Sequence, residues 1–283
     1  MCGDEVQFAK LTSCGNSCLI VACSDIASFE SEELARRILD VNFGVGADNL
    51  LAYERLSNGE LELTGFNPDG SPVGMCGNGV RCCAFFAKKC GLVSNKDKVV
   101  FNLQGRRVAA TFNQDNSHNV EVDMGEPLFS ATDIPTYLKL EKNNRALIDV
   151  DGRELEVVAV GMGNPHVVTF VNDLENYPVK ETGAKLEQHK MFPEKTNVEF
   201  VQVISGELLQ IRFWERSVGE TLSSGSGFSA VVVASRLLGL SSEVVQLRAS
   251  GGVLEGRWQG SGSSVCISAA VQEICSGVWR SSL

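Results

Sequence analysis

Long apolar runs, basic excess and paired metal-type cysteines are all scarce in this chain, and each scarcity removes a class of function. No apolar stretch approaches the ~18 residues of a membrane span, so no membrane-crossing role is expected. Asp and Glu number 35 against 25 Lys and Arg, and the formal charge of −10 argues against nonspecific nucleic-acid binding or an anionic membrane surface as partner. The start, Met1-Cys2-Gly3-Asp4-Glu5, lacks the basic flank and apolar core of a signal peptide, so a cytoplasmic location is expected. Ten cysteines are present, but none is spaced Cys-x-x-Cys, which argues against a zinc ribbon or a thioredoxin-type site. Most should be buried thiols acting as small hydrophobes. Histidine is rare, and His118, His166 and His189 stand apart; His166, beside Asn164-Pro165, reads as a structural hydrogen-bonding residue. No P-loop, His-Glu-x-x-His or Gly-x-Ser-x-Gly motif occurs, and neither a metal nor a cofactor is expected.

What the chain does have is one loop written twice. Phe66-Asn67-Pro68-Asp69-Gly70-Ser71-Pro72-Val73-Gly74-Met75-Cys76-Gly77-Asn78-Gly79 shares its plan with the stretch from Trp214 to Gly227. In each, an aromatic leads, a polar loop follows, and a small nucleophile-type residue precedes Gly-x-Gly and an apolar helix. Cys76 and Ser224 lie 148 positions apart. The same offset relates Gly15-Asn16 to Gly163-Asn164, Asp48-Asn49 to Thr196-Asn197, and Gly91 to Gly239. The spacing is far too long for a solenoid repeat. It implies a duplication into two similar α+β domains, each a curved, mainly antiparallel sheet wrapped around one buried helix.

The local patterns fit that plan. Strands are expected over Val6 to Leu11, Leu19 to Cys23, Leu50 to Tyr53, Leu61 to Phe66, Val99 to Leu103, Arg107 to Phe112 and Val120 to Met124. Ser31 to Leu39 reads as a helix capped by Ser31. Gly91 is a candidate helix C-cap. Pro127 to about Arg153 is polar and reads as an irregular link between the halves.

Two facing domains would bring Cys76 and Ser224 to opposite sides of one cleft, each at a helix N-terminus. Free N–H groups and the helix dipole there favour an anion. The turns Gly77-Asn78-Gly79 and Gly225-Ser226-Gly227 let the backbone approach it closely. A thiol at a helix start has a lowered pKa and suits proton abstraction from an α-carbon, with the enolate-like charge stabilised by its surroundings. A neutral serine hydroxyl is a poorer base, and Ser224 reads equally well as an N-cap. Asn16, Asn49, Asn67, Asn164, Asn197, Glu215 and Arg216 are polar loop residues, several of them at matching repeat positions, and should line the cleft, where Arg216 could clamp a carboxylate and Glu215 accept from an ammonium. Gly225-Ser226-Gly227-Phe228-Ser229-Ala230 also fits a dinucleotide-loop pattern, but no buried strand precedes it and the ribose-binding acid is missing.

These motifs resemble the diaminopimelate epimerase family, the pyridoxal-independent two-cysteine enzymes of lysine and peptidoglycan synthesis. Asn67-x-Asp69-Gly70-Ser71 with Cys76-Gly77-Asn78-Gly79-x-Arg81-Cys82 is similar to the first catalytic motif. Gly163-Asn164-Pro165-His166 and Pro193-x-Lys195-Thr196-Asn197 are similar to two binding segments, and Glu215-Arg216-x-x-Gly219-x-Thr221 with Gly225-Ser226-Gly227 to the second catalytic motif. The resemblance implies interconversion of LL- and meso-diaminopimelate without a cofactor, with Cys76 as one catalytic acid or base. It places the reacting carboxylate on Gly77, Asn78, Gly225 and Ser226. Asn16, Asn49, Asn67, Asn164, Asn197, Glu215 and Arg216 are then left for substrate binding, mainly at the distal end. It implies domains at 1–124 and 125–267 with 268–283 returning to the first, and a homodimer is the candidate assembly. The departures are specific. The second catalytic cysteine falls on Ser224, the usual Gln falls on Asn49, and the first motif reads Thr12-Ser13-Cys14-Gly15-Asn16-Ser17-Cys18. Two alternatives stay open: an isomerase of another substrate, such as the phenazine-biosynthesis type, and a catalytically impaired amino-acid-binding relative.

Overall fold

The computed structural model describes residues 5–281 except 27–28, 75, 94–96, 104, 114–115 and 117. The amino-terminal Met1 to Asp4, Met75 of the first loop and the last two residues of the terminal segment therefore lie outside the described residues. In chain order the elements begin with β1 (Glu5–Ser13), β2 (Asn16–Ala22), α1 (Ser31–Ile38), β3 (Asn49–Arg55) and β4 (Leu61–Phe66). Then come α2 (Gly77–Lys89), β5 (Lys98–Leu103), β6 (Arg106–Phe112), β7 (Asn119–Gly125), β8 (Arg145–Val150), β9 (Arg153–Gly161) and β10 (Pro165–Phe170). The remainder is α3 (Val179–Glu187), β11 (Asn197–Ser205), β12 (Leu208–Glu215), β13 (Gly219–Thr221), α4 (Gly225–Leu237), β14 (Val244–Ala249), β15 (Gly252–Arg257), β16 (Val265–Ala270) and β17 (Gln272–Arg280).

The chain forms two compact units, Met1–Val122 with Ala269–Leu283, and Asp123–Ser268. In the first, the pairing runs β17, β1, β2, β3, β4, β5, β6, β7; the steps β2 to β3 and β4 to β5 are parallel and the others antiparallel. In the second it runs β8, β9, β10, β11, β12, β14, β15, β16, with parallel steps again at the third and fifth positions. Registers repeat as well. Cys18 stands opposite Asn49, and His166 opposite Asn197. The carboxy-terminal β17 fills in the first unit the place that β8 fills in the second.

Helices α2 and α4 are the centres of the two units. α2 packs on β1, β2, β3, β5 and β6, and α4 on β9, β10, β11 and β15. Their sequences explain this, because Val80, Cys82, Cys83, Ala84 and Ala87 are buried in one and the run Phe228 to Ala234 in the other. Both end alike. Gly91 (φ 66°) and Gly239 (φ 70°) adopt the left-handed conformation. Leu92 N–H donates to Ala87 O and Leu240 N–H to Ser235 O, each at 2.9 Å, so both ends are Schellman caps. The shorter α1 is amphipathic, with Leu34, Ala35 and Ile38 turned to the core.

Two expectations are corrected. The residue capping α1 is Glu30, whose side chain makes no cap bond; Ser31 is already helical. Chain 127–153 is not an irregular link. Ile134, Leu138, Ala146 and Ile148 are buried in the second unit's core, and β8 pairs with β9 through the turn Asp151-Gly152. Both turn residues have positive φ, 56° and 79°, as a two-residue hairpin requires, and β8 alternates too briefly for its apolar face to stand out.

Gly256 on β15 lets α4 approach its sheet. A β-carbon there would lie 2.3 Å from Val232 Cγ2 and 3.0 Å from Leu247 Cδ1. Gly256→Ala should therefore destabilise the protein by about 1–3 kcal/mol through overpacking. Urea unfolding should show a lower midpoint with an unchanged slope; an unchanged midpoint would mean the helix is not held this close.

Candidate active site

Each unit carries a cluster of candidate residues at the start of its central helix. In the first, Cys76 is the N-cap of α2, with extended backbone (φ −117°, ψ 96°), and its sulfur accepts from Gly79 N–H at 3.3 Å. Its thiol donates to Asn49 Oδ1 at 3.8 Å. Asn49 Nδ2 donates to Asn67 Oδ1 at 3.2 Å, and Asn67 Nδ2 to Ser71 Oγ at 3.0 Å. A chain of amides from β3 and the end of β4 thus fixes the thiol's direction. Asn49 and Asn67 are expected from the sequence to bind substrate, whereas here their amides bond to each other and to the Cys76 and Ser71 side chains.

Arg81 lies beneath that turn, fully buried. It donates to Asn78 Oδ1 through Nη2 and to Ser13 Oγ through Nε at 3.1 Å, and Ser13 donates to Ala270 O at 3.0 Å. Among the described residues, Arg81 Nη1 and Asn16 Oδ1 are buried without a hydrogen-bond partner. Burial pulls the guanidinium below its usual range, while the neighbouring thiols of Cys14, Cys82 and Cys76 oppose that shift. Burial pushes the Cys14 and Cys83 thiols up. The Cys18 thiol is pushed up first by its hydrogen bond with Cys82 and then by burial. Those thiols are held neutral; Cys76 differs from them in standing at the helix start.

In the second unit Ser224 caps α4 with the same backbone (φ −136°, ψ 117°), accepting from Gly227 N–H at 3.4 Å. Its hydroxyl donates to Glu215 Oε2 at 3.1 Å, and Thr221 Oγ1 donates to Glu215 Oε1 at 2.6 Å. Gly225 and Ser226 form the first turn of α4, as Gly77 and Asn78 do in α2. Asn197 uses both ends of its amide on the backbone, donating to Pro165 O and accepting from Arg216 N–H, each at 2.9 Å. Arg216 Nη1 donates to Glu194 O at 3.0 Å. Asn164 Oδ1 lies 2.8 Å from His166 Nε2.

His166 is buried, and its Nδ1 lies 2.7 Å from Glu199 Oε1. Glu199 was not singled out from the sequence. The signal was present: it stands 148 residues after Leu51, a carboxylate where the first half has an apolar side chain. A β-carbon on Gly227 would lie 2.8 Å from Glu199 Oε1, so the carboxylate abuts the first turn of α4. Among the described residues no cluster of three or more metal-type ligands occurs, and no helix is long and apolar enough to cross a membrane.

Burial pushes the Glu199 carboxyl up, His166 opposes the rise and Glu215 adds to it. With a raised folded-state pKa, its contribution to stability is full below the unfolded value, about 4, and is lost as pH rises through the folded value. Gln mimics the neutral acid and does not titrate. The stability of Glu199→Gln relative to the parent should therefore increase as pH rises from about 4 to 7 in urea unfolding. A pH-independent difference would show that Glu199 ionises in the fold as easily as in the open chain.

A model of the family described as diaminopimelate epimerase matches residues 8–130 and 158–272. The diaminopimelate epimerase of Acetivibrio thermocellus is 34% identical over 273 residues, covering 96% of this chain and 98% of that protein. That of Desulforudis audaxviator is 37% identical over 275 residues, covering 97% and 99%. Among solved structures, a hydroxyproline epimerase from Agrobacterium vitis with bound trans-4-hydroxy-L-proline superposes with a TM-score of 0.68 at 14% identity. It covers 98% of this chain and 93% of that one, a likeness of fold.

Proposed function

Because this chain belongs to the diaminopimelate epimerase family, we propose that it interconverts LL- and meso-diaminopimelate, with Cys76 acting on one face of the α-carbon and Ser224 on the other. The observation that carries the reading is the matched pair of caps. Each of two equivalent helices begins at a side chain that can move a proton, followed by a glycine-rich first turn. The N–H groups of Gly77, Asn78, Gly225 and Ser226 are the groups for the reacting carboxylate, where they also stabilise the charge that develops when the α-proton leaves.

The reaction proceeds by proton transfer alone. A base takes the α-hydrogen from one face, the electron pair delocalises into the carboxylate, and an acid returns a proton to the other face. Cys76 serves as thiolate in one direction and thiol in the other. Ser224 works with Glu215: a proton taken up at Ser224 Oγ passes to Glu215 Oε2, along the hydrogen bond between them. Glu215 thereby supplies the basicity that a lone hydroxyl lacks. Arg216 is assigned to the distal amino-acid end, and Asn16, Asn49, Asn67, Asn164 and Asn197 to substrate binding. No pyridoxal phosphate takes part in this scheme. Its family membership supports a small amino acid as substrate and the cytoplasm as the place of action, with a homodimer as the candidate assembly, and the charge of −10 disfavours nucleic acid as a partner.

The test is conversion of the LL isomer to meso under reducing conditions, with two variants. Cys76→Ser should abolish turnover. Ser224→Cys is near-isosteric and should raise the epimerisation rate by about 10²–10⁴-fold, the usual contribution of an acid–base group. A folded, reduced Ser224→Cys protein no faster than the parent would overturn the assignment of Ser224 to the reaction and favour a different substrate. Reductant is needed because two thiols serving one carbon could oxidise to a disulfide.

A further inference from the structure

Glu187, the last residue of α3, is a buried carboxylate with only 4% exposure, and it ties α3 to two other segments of the second unit, 195–196 and 214–217. Its Oε2 accepts from Trp214 Nε1 at 2.8 Å. Its Oε1 accepts from Ser217 N–H at 3.0 Å and from Lys195 Nζ at 3.3 Å. Its carbonyl accepts from Thr196 N–H at 3.3 Å. Burial works against ionisation, but donation from Trp214, Ser217 and Lys195 outweighs it and holds the carboxyl below the usual range.

Two of these donors come from residues in the left-handed backbone region, Lys195 (φ 60°) and Ser217 (φ 64°). For residues with a β-carbon that conformation is strained. A charged acceptor placed between them offsets that strain and selects these turns. The turns are the ones that carry Asn197 and Arg216. They are stitched together by Arg216 N–H donating to Asn197 Oδ1 at 2.9 Å and Arg216 Nη1 donating to Glu194 O at 3.0 Å. α3 is itself seated on Trp214, where a β-carbon on Gly183 would come within 2.6 Å of the indole.

We propose that Glu187 is a positioning residue: without touching substrate, it holds the Lys195 and Ser217 turns so that the Arg216 guanidinium is set for the distal carboxylate. This rests on the assignment of Arg216 to the distal end of the substrate. The distal end does not react, so its recognition acts equally on ground and transition states and belongs in KM rather than kcat.

Glu187→Gln replaces one acceptor oxygen with a donor and so turns it against one of the three donors. Its KM for diaminopimelate should rise about tenfold while kcat stays within about twofold. In the ligand-free protein, amide hydrogen exchange over 214–218 should accelerate while the interior of α4 keeps its protection. Trp214→Phe, which removes a single donor, should move both readouts the same way by less, and carries the test if Glu187→Gln does not fold. Unchanged exchange and KM in a folded variant would overturn the proposal, as would a fall in kcat matching the rise in KM. Arg216→Lys separates this from the underlying assignment. If it leaves KM unchanged, the role of Arg216 is wrong, whereas the exchange result still decides whether Glu187 sets the turn.

Discussion

The side-chain cap at the start of each central helix is the interaction on which the rest depends. Cys76 and Ser224 each turn an extended loop into a buried helix by accepting from the N–H three residues on. A helix start that is buried needs such a partner, because its first amides have none inside the helix. Using a proton-carrying side chain as the cap places reactivity and anion affinity at one point. The glycines Gly79 and Gly227 let the strands beside each loop close against the first helical turn, where a β-carbon would lie 2.8 Å from Leu51 and from Glu199.

The frames repeat, but the charged side chains beside their caps do not. Beneath Cys76 lies the cation Arg81, and its counterpart 148 residues on is Ser229. Beside Ser224 lies Glu215, and Glu199 abuts the first turn of the same helix, where the first half has Asn67 and Leu51. A cation under a thiol favours its anion, and a carboxylate beside a hydroxyl favours removal of its proton. One duplicated backbone thus carries two chemically unlike ends. This asymmetry sets a hydroxyl beside a carboxylate in one unit against a thiol above a cation in the other.

Much of this was legible in the sequence because it is written locally. The aromatic-led loops, the Gly-x-Gly helix starts and the glycines ending both helices depend on residues adjacent in the chain, and the common offset exposed the duplication. What was missed depends on partners far apart. Arg81 lies in an apolar helix, and only the distant Ser13 shows what its guanidinium holds. Glu187 reads as an ordinary helix-end acid until Trp214, Ser217 and Lys195 converge on it. β8 reads as loop in the sequence because its buried positions, Ala146 and Ile148, are too few to mark a face. Ser31 looked like a cap because its residue type fits, yet the chain enters the helix one residue earlier.

The central claim is that proton exchange at the α-carbon runs through Cys76. Incubating the protein with LL- and, separately, meso-diaminopimelate in deuterated water, and locating the label by mass spectrometry and proton NMR, tests it most directly. The account predicts deuterium at the α-carbon of the product from either isomer, with the two starting materials labelled at unequal rates because the two ends differ. It also predicts no label in the folded Cys76→Ser protein. Product that forms without label, or label that persists undiminished in Cys76→Ser, would contradict it.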